Sequence, residues 1–213
     1  MAPVFVLDPY KSFESNWKDT EKLFKLFQKE NAGRKGRSGL GYLRKAMLVT
    51  MLSHWESYVE DEILRHYQFK YKNIRKVDSL PDGFRHALEN HLKEEHGDKW
   101  GWELCGQNWK RIAEDYAKSK CDHLNTPSHK NIDRIMKTLF AVRGFSDGWK
   151  WQSMSAPNAI EKLTKIIKTR GAIAHGRKPE GKFDYNTISR YKTHIENLAW
   201  KTSELFDELR EET

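Results

Sequence analysis

Cysteine is nearly absent from this sequence, with two in 213 residues. Cys105 and Cys121 cannot knit a disulfide framework, and such sparse thiol usage predicts a reducing, cytoplasmic setting. Long apolar runs are also missing: none approaches the roughly 20 residues of a membrane span. The start, from Met1 to Asp8, lacks the basic region and apolar core of a secretory signal. No membrane is therefore expected among the partners. Metal-binding spacings are missing too. There is no His-Glu-x-x-His and no Cys-x-x-Cys, and His86, His91 and His96 recur every fifth residue, which spreads them around a helix. Cys121-Asp122-His123 is too sparse for a metal site. The glycine-rich stretch Gly33–Gly39 is not followed by Gly-Lys-Ser/Thr, so it is not a nucleotide phosphate loop. No metal and no cofactor is predicted.

What is present is positive charge and aromatic bulk. The formal charge is +8 and the isoelectric point about 9.3, which favours polyanionic partners, nucleic acid first. Hydrophobic residues make up only 38% and mean hydropathy is −0.85, yet 12% aromatic residues argue against disorder. Eight Trp, eight Tyr and ten Phe can build a core from few positions. The length, without a long polar linker, predicts one domain over residues 1–213.

Helical periodicity runs through most of the chain. Asp8-Pro9 is a capping residue followed by proline at the first helical position, and Tyr10, Phe13, Trp17, Phe24 and Phe27 form the stripe behind it. A long helix is predicted from Leu40 to about Tyr71, its apolar face thinning in the second half. Glu56 and Glu60 share a face on it, and a solvated helix surface is the simpler reading of that pair. Helices are also predicted around Phe84–Leu92, through Trp109, Ile112 and Tyr116, from Ser128 onward through Ile132, Met136 and Phe140, and after the cap Asp184. The Gly- and Trp-bearing loop at 143–154 is expected to lid the core rather than stack on bases. With no strand pattern, the expectation is an all-α antiparallel bundle.

The most informative stretch is Thr169-Arg170-Gly171-Ala172-Ile173-Ala174-His175-Gly176. It ends a helical run whose expected stripe is Ile160, Leu163, Ile167 and Ala174. Extending that stripe from Ile167 lands on Arg170, a guanidinium where the pattern calls for hydrocarbon, and such a violation often marks a functional site. At about 100° per residue, His175 lies roughly 140° around the helix from Arg170. Gly176 is a helix-terminating glycine and Pro179 prevents resumption.

This Arg-x4-His-Gly segment resembles the terminal-helix motif of HEPN domains, all-helical proteins many of which are metal-independent ribonucleases. Trp55-Glu56-Ser57-Tyr58-Val59-Glu60 and Thr126-Pro127-Ser128-His129-Lys130-Asn131-Ile132 resemble stretches of the RiboL-PSP subgroup, which is associated with RNA-cleaving toxins and defence systems. Gly171 departs from the family, which often has Asn or another polar residue there.

The resemblance implies RNA cleavage by attack of the ribose 2′-OH, leaving 2′,3′-cyclic phosphate and 5′-OH ends. It assigns Arg170 and His175 as catalytic. An imidazole can give or take a proton near neutrality, and a guanidinium fork matches phosphate oxygens. It further implies a homodimer that gathers two Arg-His pairs in one cleft, with a cognate antitoxin or defence-system partner. Arg177 and Lys178 are expected at the cleft mouth as nucleic-acid contacts. Two other readings stay open: a non-catalytic HEPN module for RNA binding or dimerisation, and a helical protein-interaction domain.

Overall fold

Helix α2 (Gly41–Tyr71) is the axis of the protein. Met47, Leu48, Met51, Trp55, Val59 and Ile63 are buried on more than one side of it, so neighbours must pack around it. Those neighbours are α1 (Pro9–Asn31), α4 (Asn108–Asp122), α5 (His129–Phe140), α6 (Ala156–Ala174) and α7 (Tyr185–Glu211), while α3 (Asp82–His96) packs on α4 and α5. Short 3-10 turns occur at Val77–Ser79 and Phe145–Gly148. The computed structural model describes residues 8–32, 39–97, 101, 108–122, 124 and 126–211. Among these the fold is all-α, with an isolated bridge between Trp151 and Met154 as its sole extended pairing. The basic loop at 33–38, Trp100, Trp102, Cys105 and His123 lie outside the described residues.

The local signals act where they were read. Asp8 Oδ1 accepts hydrogen bonds from the backbone of Tyr10 and Lys11, and its other oxygen meets Arg65 at 3.3 Å, tying the start of α1 to α2. Phe13 packs on Tyr58, Trp17 on His54 and Phe27 under Arg44. These pairings descend along α2 as α1 advances, so the two helices are antiparallel. Helix α7 meets α1 through Trp17–Glu196 and Phe27–Tyr185, again antiparallel, and therefore runs in the same direction as α2. Each aromatic side chain fully buried along these seams contributes about 1.5–3 kcal/mol.

Ser128 Oγ caps α5 by accepting from the Asn131 backbone, and the carbonyl of neighbouring Pro127 accepts from Trp55 Nε1 at 3.2 Å. The segment that opens α5 is thereby seated on α2. Asp184 caps α7, accepting from Thr187 N at 2.9 Å. In the loop between α5 and α6, Trp149 is wholly buried and donates to Thr202 Oγ1 at 3.0 Å, so it closes the core.

One expectation is overturned. The buried face of α2 does not thin after Tyr58: it continues through Glu62, Ile63, His66, Tyr67 and Tyr71. Reading hydrocarbon alone misses it, because Glu62 and His66 interrupt the apolar pattern. Arg210 meets Glu62 at 3.1 Å, and His66 lies against the rings of Phe140 and Phe206.

Candidate active site at the end of helix α6

Helix α6 starts at the Ser155 cap, whose Oγ accepts from Asn158 N, with Pro157 in the first turn. Its buried residues are Ala159, Leu163, Ile166 and Thr169. The expected stripe is therefore turned by about one residue: Ile160 and Ile167 are half-buried at the edge of the core, and Ala174 is exposed. Thr169 can take a core position because its hydroxyl donates to the Lys165 carbonyl at 2.7 Å. Arg170 follows Ile166 by four residues and Leu163 by seven, so its side chain prolongs the buried face toward α2. It emerges half-buried at the rim of the core. Across from it stands Glu56 of α2, also half-buried. Burial pushes the Glu56 carboxyl up, and the Arg170 charge opposes that shift. Arg170 forms no side-chain hydrogen bond and no ion pair within 4 Å among the described residues. An ion pair with Glu161 or with a carboxylate of another helix would be the simplest structural role for this arginine; neither forms within 4 Å among the described residues, and Glu56 of α2 attracts it through space only.

The helix ends in a paired set of main-chain bonds. Gly176 N donates to Ile173 O at 3.1 Å and Arg177 N to Ala172 O at 2.7 Å, the Schellman arrangement. It requires a left-handed residue, which Gly176 supplies at φ 66°. His175 is held between these bonds as the last half-helical residue, its own N–H donating to Gly171 O at 3.1 Å. Its imidazole is exposed. The position of His175 is thus set by the backbone, with its ring free for chemistry.

The chain beyond Gly176 turns alongside α6 and encloses a cleft of about 660 Å³. His175, Arg177 and Lys178 line it together with Lys165, Lys168 and Gly171, and Glu161 and Glu180 supply the carboxylates in its wall. Arg170 does not line it. One chain therefore places the imidazole in a cationic cleft and the guanidinium on the α2 side of the same helix. Lys165 and Lys168 were not singled out from sequence. The signal was there: counting back from His175 by seven and ten residues reaches both on one helical face.

On the α2 side, carboxylates gather along the seam with α4. The Glu60 carboxyl is pushed up to about 7 by burial first, then by Glu56, Asp122 and Asp61. Burial, followed by the charges of Glu60, Asp122 and Asp61, pushes the buried Cys121 thiol up to about 12. The solvated face expected for Glu56 and Glu60 is thus corrected: both are half-buried, because α4 and α6 cover that side of α2. No cluster of three ligating side chains suited to a metal forms among the described residues. No helix among them is long and apolar enough to cross a membrane.

Among the described residues the chain is all-helical, as HEPN domains are. More closely, the model of the RiboL-PSP-HEPN family matches residues 12–208, and the chain belongs to that family. No curated protein matches the chain. No solved structure matches it.

Proposed function

We propose that this protein is a metal-independent endoribonuclease that acts as a homodimer, with Arg170 and His175 as its catalytic pair. The observation that carries the reading is the placement of the two groups. A helix otherwise committed to the core brings an arginine to its rim without an ion pair, and its backbone cap then presents an exposed histidine in a cationic cleft. His175 takes the proton of the ribose 2′-OH or delivers one to the departing 5′-oxygen. Arg170 stabilises the charge that builds on the phosphoryl oxygens. One imidazole cannot easily be base and acid at once in a single turnover. A second copy related by a two-fold axis supplies the other histidine, and it also brings an arginine to the far side of the cleft. The expected products carry 2′,3′-cyclic phosphate and 5′-OH ends. Arg177 and Lys178 add phosphate contacts at the mouth. The family's association with toxins and defence systems supports a cytoplasmic role of that kind, with a cognate antitoxin or defence partner.

The test is incubation of the purified protein with end-labelled RNA in EDTA, beside His175→Ala and Arg170→Ala, with the ends of the products identified. Cleavage with cyclic phosphate ends, lost in both variants, supports the enzyme. RNA binding without cleavage supports a non-catalytic module, a reading favoured by Gly171 standing where the family often has a polar side chain. Absence of RNA binding at low salt leaves a helical protein-interaction domain.

A further inference from the structure

Gly171 is unusual for its place. It lies within α6, three residues before the helix ends, with no left-handed backbone to explain a glycine. A Cβ built on it meets nothing within 4 Å, so no neighbour forbids a side chain either. Glycine there weakens the helix relative to alanine. Neither conformation nor packing within the chain accounts for it. What does set Gly171 apart is that it forms part of the cleft wall between Lys168 and His175. A glycine in a cleft wall lets a ligand approach the backbone closely at that point.

The rest of the cleft defines the ligand. Lys165, Lys168, Arg177 and Lys178 outnumber the two carboxylates, Glu161 and Glu180, which selects for a multiply charged anion. Lysines present point charges that suit phosphates in an extended strand. The volume, about 660 Å³, takes a short run of such a strand.

We propose that this cleft seats the ribose–phosphate backbone of single-stranded RNA beside His175, with phosphates held by Lys165 and Lys168 and closest approach over Gly171. The choice of RNA rests on the nuclease reading, whereas the position of the strand rests on the cleft itself. On this proposal Gly171 is a specificity-determining residue, kept at a cost to the helix so that the strand can lie against it.

The experiment uses the full chain and a 2′-O-methyl oligoribonucleotide, which lacks the nucleophile and so reports binding without cleavage. Binding is followed by fluorescence anisotropy across a salt series. Gly171→Leu fills the cleft from a position with open space, so it is expected to keep or raise the melting temperature while weakening binding at least tenfold. Lys165→Gln/Lys168→Gln is expected to reduce the slope of log affinity against log salt by about 0.7 for each lost phosphate contact. Unchanged affinity in folded Gly171→Leu overturns the proposal, as does an unchanged salt slope in the lysine variant, or no binding by the wild type. If the wild type binds through the cleft but cleaves no RNA, the nuclease reading fails and the binding site stands. If it cleaves RNA while both cleft variants bind normally, the outcome is reversed.

Discussion

Arg210, Glu62 and His66 lie between α2 and α7, and Arg170, Glu56 and His175 lie around the end of α6, so the same three side-chain types occur twice. In the first set Glu62 is fully buried, the Arg210 side chain is 11% exposed, and the two meet at 3.1 Å. Arg210 is further bound to Asp207 at 2.7 Å. His66 is buried with neither ring nitrogen partnered, and burial first, then the charges of Lys70 and Arg210, lowers its pKa to about 4. In the second set the arginine is at the rim with only a through-space attraction to Glu56, and the histidine faces solvent. The difference shows how to tell a structural ionic cluster from a site. In the buried set the Glu62 and Arg210 charges are paired with each other and shut away from solvent. The open set leaves its cation and its imidazole available, and holds them by backbone and helix register instead of by each other.

Substitutions can break this contrast or sharpen it. Arg210→Met is expected to have the largest effect, because it leaves Glu62 buried without its partner. Losing one member of such a pair costs about 3–5 kcal/mol. The Glu62 carboxyl, already pushed up by burial, can take a proton, which places the loss near the lower end. Denaturant unfolding measures it, and adding Glu62→Gln is expected to restore most of it. Arg170→Met, measured in the same way, should change stability by less than about 1 kcal/mol. If the two arginines cost the same, the contrast is wrong. In the cleavage assay the order reverses. Arg170→Ala is expected to slow the reaction by about 10²–10³-fold, as loss of one oxyanion-type donor does, and Arg210→Ala to leave the rate per folded molecule unchanged.

Gly176→Ala comes next, since an alanine in the left-handed region costs about 1–2 kcal/mol. Thermal melting should record that loss, together with slower cleavage, because the cap places His175. The smallest effect is on pH dependence. Burial, then the charge of Lys162, lowers the His194 pKa to about 4, while its Nε2–H donates to the Ala159 carbonyl at 3.0 Å. The folded protein therefore keeps His66 and His194 neutral where the unfolded chain binds protons. Stability from these two is lost as pH falls from about 6.5 toward 4. Glu60 acts in the opposite sense: its raised pKa means stability is lost as pH rises from about 4.5 through 7. Melting temperatures taken from pH 4 to 8 should show Glu60→Gln gaining on the wild type toward the alkaline end.

The parts of the fold legible in sequence are those set by near neighbours along the chain. The caps at Asp8, Ser128 and Asp184 act within three residues, and the aromatic stripe of α1 follows from its own spacing. The second half of α2 was not legible, because a carboxylate and an imidazole in a core count as polar until Arg210 and the phenylalanine rings arrive from distant segments. The register of α6 was misjudged for a related reason. Ala159 and Thr169 are small or hydroxylated, and their burial depends on a backbone partner and on α7. The candidate site was read from sequence as a pair of residues and a spacing. The spacing also held Lys165 and Lys168 on the face of His175, whereas the approach of Arg170 to Glu56 comes from the packing of α6 on α2, which no spacing contains.

The main-chain knot at Gly176 has a practical outcome. Since residue 175 is stationed by amide hydrogen bonds and not by its side-chain neighbours, exchanging that single ring leaves the helix end as it was. On the proposed function, a His175→Ala protein is expected to grip RNA without cutting it and so to act as a decoy.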